Sequence, residues 1–395
     1  MWFTLRSLRG PLKILILHQH YKTPGSGGAI RSWYLAKGLA AAGHTPVIIT
    51  SHNEKRYLHT ISDGIEVHYL PVAYDNSFDY YRRSVSFLRF VFRSIRIAAG
   101  IKNIDRIYAI SVPLTIAFVA RWTSFRKGIP YFFEVGDLWP DAPIEMGFIK
   151  NPLMKSSLYS VEKTAYRKAQ AVVALSSAIK EAILKKAPEA RVVTIPNMAD
   201  CDFYKPTPRH DQNRFTISYI GATGLANGLD YLLDCANLAR KAELPLHFVV
   251  AGTGALLERL KGNAKHLGLQ NITFTGFLDR EGVRGVMNIS DAVLVCYKDR
   301  PILETGSPNK FFDGLAAGKL IVINFGGWIR KEIEEHRCGI STSKTDATDF
   351  IRKIRTFMTD PDLLLEYQMN ARKLAEQKYD RKKLVDAWLK IITSP

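Results

Sequence analysis

Short apolar runs alternate along this chain with segments whose apolar residues recur at helical spacing. That alternation predicts buried parallel strands covered by helices. Lys13–Leu17 reads as a strand, followed by a glycine-rich loop, a helix over about 29–42 closed by Gly43, and a strand at Pro46–Thr50. Further strands are expected at Ile107–Ile110, Tyr131–Val135 and Ala171–Leu175. The pattern then restarts with Phe215–Ile220, the loop Gly221-Ala-Thr-Gly224 and a helix over about 229–242. Strands at Leu246–Ala251, Asn271–Thr275, Ala292–Cys296 and Leu320–Asn324 continue it.

Between the halves, Pro196 to Pro206 mixes prolines with Asp and Asn, and the polar stretch Thr207–Arg214 follows. This is the composition of a linker. The expected architecture is α/β, with two Rossmann-like domains facing each other across a cleft. Residues 1–206 form the first, acceptor-side domain, 207–377 the second, and 378–395 a terminal helix packing back on the first. With 395 residues, two domains are the natural division. Ligands of open α/β sheets sit beyond the carboxyl ends of the strands, so both domains would offer loops to the cleft.

Three loops carry candidate chemistry. Gly27 and Gly28 lie in the loop before the first helix, where backbone amides can approach an anion closely. Gly221 and Gly224 repeat the device in the second half. A lone glycine-rich loop is equally well a tight turn, and neither has the dinucleotide fingerprint. The third stretch, Glu304 to Gly318, is the most informative. Ser307 reads as a helix N-cap and Pro308 as the first helical residue. Lys310 then falls in the first turn, where a cation is disfavoured unless an anion is bound. Asp313 follows one turn later on the same face, placing a carboxylate beside the phosphate-binding charge. The plain alternative is a surface Lys–Asp pair.

Composition narrows the partners. Lys and Arg outnumber Asp and Glu to give a net charge of +18, which attracts phosphorylated ligands, anionic lipid or nucleic acid. No recognition helix, zinc motif or RNA-binding signature accompanies that charge, so nucleic acid is not expected. The four cysteines are widely spaced, without a CxxC pair or histidines at metal-ligand spacing, and read as reduced structural thiols. The longest uncharged stretch, Ile107–Ala120, contains Pro113 and falls short of the about 20 residues a spanning helix needs. Membrane contact would therefore be peripheral. A candidate is the segment from Arg82 to Ile97. Arg82, Arg89, Arg93 and Arg96 form one stripe, with Val85, Leu88, Val91, Phe92 and Ile95 opposite and Phe87 flanking. An apolar face with an arginine border suits an anionic lipid surface, though most amphipathic helices simply pack on their own domain.

Taken together, the residues Gly27-Gly28-Ala…Arg31, Leu39 to His44, Ile195-Pro-Asn-Met-Ala-Asp200 and Ser307-Pro-Asn-Lys…Asp313…Gly318 resemble glycosyltransferase family 4 over nearly the whole chain. The Glu134-Val-Gly-Asp-Leu-Trp-Pro140 segment is similar to the branch that builds bacterial surface polysaccharides, O-antigen and capsule. The resemblance implies a GT-B fold and a retaining, metal-independent transfer without a cofactor. The donor would be a nucleotide diphosphate sugar, commonly a UDP-sugar. The arginine stripe, the net charge of +18 and the lack of a spanning segment add the expectation of a cytoplasmic protein held at the inner face of the cell membrane, its cleft brought to a polyprenyl-diphosphate-linked saccharide acceptor. Asp313 stands where the family has the glutamate that holds the ribose diol, and Thr305, beside Glu304, where it has the first motif glutamate. Asn227 and Leu225 replace a lysine and an arginine, which shifts phosphate neutralisation onto Lys310, Asn309 and backbone amides. The expected donor set is thus Gly27, Gly28, Gly221, Gly224, Phe277, Ser307, Asn309, Lys310 and Asp313. Asp137, in the loop after a strand, is the candidate base for the acceptor hydroxyl, with Glu304 the second catalytic carboxylate. The alternatives are a sugar-nucleotide epimerase of the same fold and a non-catalytic, membrane-associated sugar-nucleotide-binding protein.

Overall fold

The computed structural model describes residues 10–26, 28, 30–75, 78–208, 211 and 213–394, and among these fourteen strands form two sheets. The first sheet contains β1 (Lys13–Leu17), β2 (Thr45–His52), β3 (Leu58–Ser62), β4 (Ile65–Pro71), β5 (Arg106–Ser111), β6 (Tyr131–Val135), β7 (Ala171–Ala174) and β8 (Val192–Thr194). Its order is β3-β4-β2-β1-β5-β6-β7-β8, and every pair is parallel except β3 with β4. The second contains β9 (Phe215–Ile220), β10 (Leu246–Ala251), β11 (Ile272–Gly276), β12 (Ala292–Val295), β13 (Leu320–Ile323) and β14 (Gly339–Ser341). It runs β11-β10-β9-β12-β13-β14 and is parallel throughout. Both sheets are covered on two faces. Successive residues Ile14, Leu15, Ile16 and Leu17 are therefore all fully buried, as a strand inside a three-layer sandwich requires.

Four strands lie outside the expected set. The β3–β4 hairpin is the antiparallel edge of the first sheet, closed by Asp63 and Gly64 at positive φ of 54° and 74°. Because β3 is largely exposed, it carries no apolar run to announce it. β8 and β14 are only three residues each, too short for any periodicity.

The segment between the domains is packed, not loose. Asn197, Ala199, Asp200, Cys201 and Tyr204 are buried, and Ala199 pairs in parallel with Asp380 where the chain crosses back. Beyond that crossing, the helix Arg381–Thr393 lies against the helix Arg31–Ala41 of the first domain. Trp388 is fully buried there, edge-on to Tyr108 at 4.9 Å. Gly38 makes this approach possible, since a Cβ at that position would collide with Val385. Arg106 Nη1 donates to the carbonyls of Ile392, at 2.6 Å, and of Ser394, which ties the end of the chain to β5.

The helix Tyr80–Gly100 is capped by Asp79, whose side chain accepts from Arg82 N at 2.8 Å. Its buried stripe is Phe87, Phe90, Val91, Ser94 and Ala98. This corrects the sequence expectation for its faces. Phe87 and Val91 belong to the core of the first domain, whereas Leu88 and Phe92 are 52% and 72% exposed on the arginine side. The helix sits on β2 and β4 and on the helix Ile116–Lys127, and those neighbours select which apolar residues turn inward.

Candidate active site in the interdomain cleft

A cavity of 840 Å³ opens between the domains, lined by loops that follow β1, β6, β9, β10, β11 and β12 and by the helix Asn309–Ala316. On the second domain the floor is made of closely apposed glycine loops. Gly221 and Gly252 have φ of 139° and 138°, and a Cβ on Gly252 would collide with the Gly221 carbonyl. A Cβ on Gly221 would also lie 3.2 Å from Lys310 Cε, so glycine there leaves room for the lysine.

The helix Asn309–Ala316 presents its polar residues to the cavity because its apolar ones are fixed beneath. Phe311, Phe312, Gly314, Leu315 and Ala316 are buried. Gly314 is so close to the sheet that a Cβ would sit 2.9 Å from Ile321 Cδ1. Asn309, Lys310 and Asp313 are left facing the cleft. Ser307 does not cap this helix, contrary to expectation. Its Oγ accepts from Asn197 N at 3.2 Å and its carbonyl accepts from Asn197 Nδ2 at 2.5 Å, a seam to the interdomain segment. The cap position is Pro308, with no side-chain acceptor, so the first-turn amides are left for a ligand.

Among the described residues neither Lys310 nor Asp313 has an ion-pair partner. Lys310 Nζ lies 4.0 Å from the Tyr219 ring centroid. Burial pushes its pKa down to about 8. Asp313 is pushed up to about 7, chiefly by burial, with Arg280 opposing and Asp200 adding to the rise. A cation and an anion, each disfavoured by its surroundings, thus face one cavity, a pairing of perturbed charges that marks a candidate site.

The other expected residues divide. Gly28, Asp137, Gly221 and Phe277 line the cavity, and Phe277 is 61% exposed. Asp137 opens to the cleft, and the walls around it raise its pKa. Gly306 of the second domain is close enough that a Cβ would lie 3.9 Å from Asp137 Oδ1. Gly224 and Glu304 do not line the cavity. Glu304 pairs with Lys344 at 2.6 Å, and its carboxylate lies over Gly326, so in this structure it braces a loop. Gly27 lies outside the described residues. Arg82, Arg89, Arg93 and Arg96 sit on the outer face of the first domain, away from the cavity.

Residues to which the sequence assigned no role in the site complete it. Arg280, at the start of the helix Arg280–Ile289, lines the cavity, bonds Asp200 and stacks 3.7 Å over Phe203. It also donates to Tyr34 Oη at 2.6 Å, bridging the domains. Burial opposes the ionisation of Asp200, yet Tyr34, Arg381 and Arg280 hold its carboxyl below the ordinary value. Arg280 was detectable by the argument used for Lys310, as a cation in the first turn of a helix. Arg31 lies deeper, paired with Glu134 at 2.9 Å and donating to the carbonyls of Ile195 at 3.0 Å and Pro196 at 2.6 Å. It anchors the interdomain segment to β6.

Two Rossmann-like domains with a shared cleft at their strand ends define the GT-B class. Residues 26–198 match the model of the glycosyl transferase 4-like domain, and residues 201–374 that of glycosyl transferases group 1. No curated protein matches the chain in sequence. Solved structures share the fold at low identity. Sucrose-phosphate synthase from Thermosynechococcus elongatus is 16% identical with a TM-score of 0.75, covering 96% of this chain and 98% of that one. Anabaena HepE, solved with UDP, is 18% identical with a TM-score of 0.68 over 97% and 100%. WaaG, a glycosyltransferase involved in lipopolysaccharide biosynthesis, is 16% identical with a TM-score of 0.68 over 97% and 100%. The protein belongs to the glycosyltransferases, with a family 4-like first domain and a group 1 second domain.

Proposed function

We propose that the protein transfers a sugar from a UDP-sugar to a lipid-linked saccharide in the assembly of a surface polysaccharide, with retention of anomeric configuration and without a metal. The observation carrying this reading is the pair Lys310 and Asp313, without an ion-pair partner among the described residues and facing one cleft beside uncapped helix amides. Lys310 and those amides would meet the diphosphate, and Asp313 would accept hydrogen bonds from the ribose hydroxyls. As the bond from the anomeric carbon to the diphosphate oxygen breaks, negative charge builds on that oxygen, where Lys310 stabilises it. The acceptor oxygen bonds to the same carbon, and its proton passes to Asp137, whose raised pKa improves it as a base. The bound state of the related HepE with UDP is consistent with such a donor.

The lipid-linked acceptor is supported by the outer face of the first domain. There Leu88 and Phe92 stand exposed among Arg82, Arg89, Arg93 and Arg96, and Phe125 of the neighbouring helix is 86% exposed. Among the described residues no helix is long and apolar enough to cross a membrane, so contact would be through this face. A thermal-shift panel of UDP- and GDP-sugars, followed by determination of the product's anomeric configuration, tests the reading. Stabilisation by a UDP-sugar and retention in the product are expected. Stabilisation by GDP-sugars alone, or an inverted product, would overturn it.

A further inference from the structure

The β3–β4 hairpin lies at the outer edge of the first sheet, and none of its residues lines the cleft. His59 and His68 are direct partners across this antiparallel pair, their rings stacked at 4.6 Å and 12°. Glu66 stands two residues before His68 on the same strand, hence on the same face. Three ligand atoms converge there. Glu66 Oε1 is 3.1 Å from His59 Nε2 and 3.2 Å from His68 Nε2, and all three atoms lie within 4.8 Å of one another. Among the described residues no other set of three His, Cys, Asp or Glu side chains converges in this way.

A second observation points to a ligand at this place. His68 is buried, and its Nε2 has no hydrogen-bond partner although it faces Glu66 Oε1 at 3.2 Å. Its other nitrogen, Nδ1, is 2.6 Å from Tyr57 Oη. If Nδ1 carries the proton and donates it to Tyr57, Nε2 presents a lone pair toward the carboxylate. Two acceptors facing each other at that distance are stabilised by a cation between them.

We propose that His59, Glu66 and His68 bind a divalent cation of the zinc class, with a fourth position open to water. Bonds of about 2.0–2.2 Å in a tetrahedral site give ligand-to-ligand edges of roughly 3.3–3.5 Å. The two spacings from Glu66 to the histidines, 3.1 and 3.2 Å, are close to this. The more exposed His59 ring turns out of its stack on His68 to bind, because two nearly parallel imidazoles cannot both aim Nε2 at one ion. Two imidazoles and one carboxylate suit zinc, whereas calcium and magnesium take oxygen ligands. Tyr57 acts behind the site, orienting His68 through Nδ1 in the manner of partners that fix metal-bound histidines. Lys13 Nζ lies 3.7 Å from the other carboxylate oxygen, Oε2, leaving Oε1 for the metal. Lys13, Arg96 and Lys102 line the adjoining groove of 440 Å³, and their charge opposes the cation. The site stands apart from glycosyl transfer.

The test uses the untagged full chain, stripped with a chelator and dialysed. Zinc is titrated against a chromophoric competitor, and cobalt is added separately as a spectroscopic probe. One zinc per chain is expected, with the intense visible bands of four-coordinate cobalt. His59→Ala, at a partly exposed position that should fold normally, is expected to weaken binding at least tenfold. Tyr57→Phe should weaken it by about tenfold, the lower end for a partner behind a ligand. Lys13→Met should strengthen it by removing the opposing charge. His68→Ala should abolish the cobalt bands, and if that variant fails to fold, His59→Ala decides the matter. Absence of stoichiometric binding at micromolar zinc, a six-coordinate cobalt spectrum, or unchanged affinity in His59→Ala would overturn the proposal.

Discussion

Lys310 and Asp313 carry opposite burdens in the cleft, and their titration gives the proposed donor site a pH window. Lys310, lowered to about 8 by burial, loses the charge proposed to meet a diphosphate as pH rises through that value. Asp313, raised to about 7, loses its carboxylate as pH falls through that value. UDP affinity measured by calorimetry should therefore be greatest between them and decline on both sides. Uridine, lacking phosphates, should show only the acidic decline. Lys310→Ala should weaken UDP binding by about 1.5–3 kcal/mol, the range for hydrogen bonds to charged groups, and leave uridine nearly unchanged. Asp313→Asn should impair both ligands, because an amide offers one acceptor oxygen instead of two. Its effect on stability has the opposite sign. A raised carboxyl binds more protons folded than unfolded, so stability falls as pH climbs from the ordinary carboxylate range to about 7. Removing that group should raise the melting temperature of the donor-free protein above pH 7, measured by scanning calorimetry. An unchanged or lowered melting temperature would show that the cleft does not disfavour this charge.

At the scale of elements, the helix Tyr80–Gly100 separates two roles that its sequence blends. Phe87 is buried beside Tyr74 and Trp139, and Phe92 is exposed. Phe87→Ala should cost about 3–5 kcal/mol in denaturant unfolding, as large core truncations do. Phe92→Ala should be close to neutral for stability but weaken attachment to anionic vesicles. Replacing Arg82, Arg89 and Arg93 with Glu should release the protein from those vesicles, and salt should do the same by screening. Sedimentation with vesicles after that charge reversal would place the membrane contact elsewhere. Periodicity located the helix but not which apolar residues turn inward, since β2, β4 and the helix Ile116–Lys127 decide that. Buried strands such as β1 and β9 were legible because burial on both faces leaves continuous apolar runs. The β3–β4 hairpin was not, because its register opposes His59 and His68 across a turn that spacing along one strand does not reveal. Lys310 and Asp313 stood out as charges on a short helix start, whereas Ser307 looked like a cap until Asn197 claimed it.

For the whole molecule, the cleft depends on contacts that hold two separately wound domains in one relation. The helix Arg381–Thr393 returns to the first domain through the close approach at Gly38. Gly38→Ala should push that helix away from its seat and lower the melting temperature, while Trp388→Ala should cost about 3–5 kcal/mol. Glu134→Gln leaves Arg31 charged and buried without its counter-ion, and such losses cost about 3–5 kcal/mol. Arg31 also holds the carbonyls of Ile195 and Pro196, so this variant should loosen the interdomain segment as well. The proposed transfer turns on what the cleft does to a donor. The most direct measurement is UDP release from a UDP-sugar by the purified protein, with and without a lipid-linked saccharide acceptor, alongside Lys310→Ala. The account predicts release that requires the acceptor and falls sharply in the variant. Isomerisation of the free donor, or no release with any acceptor while UDP still binds, would contradict it.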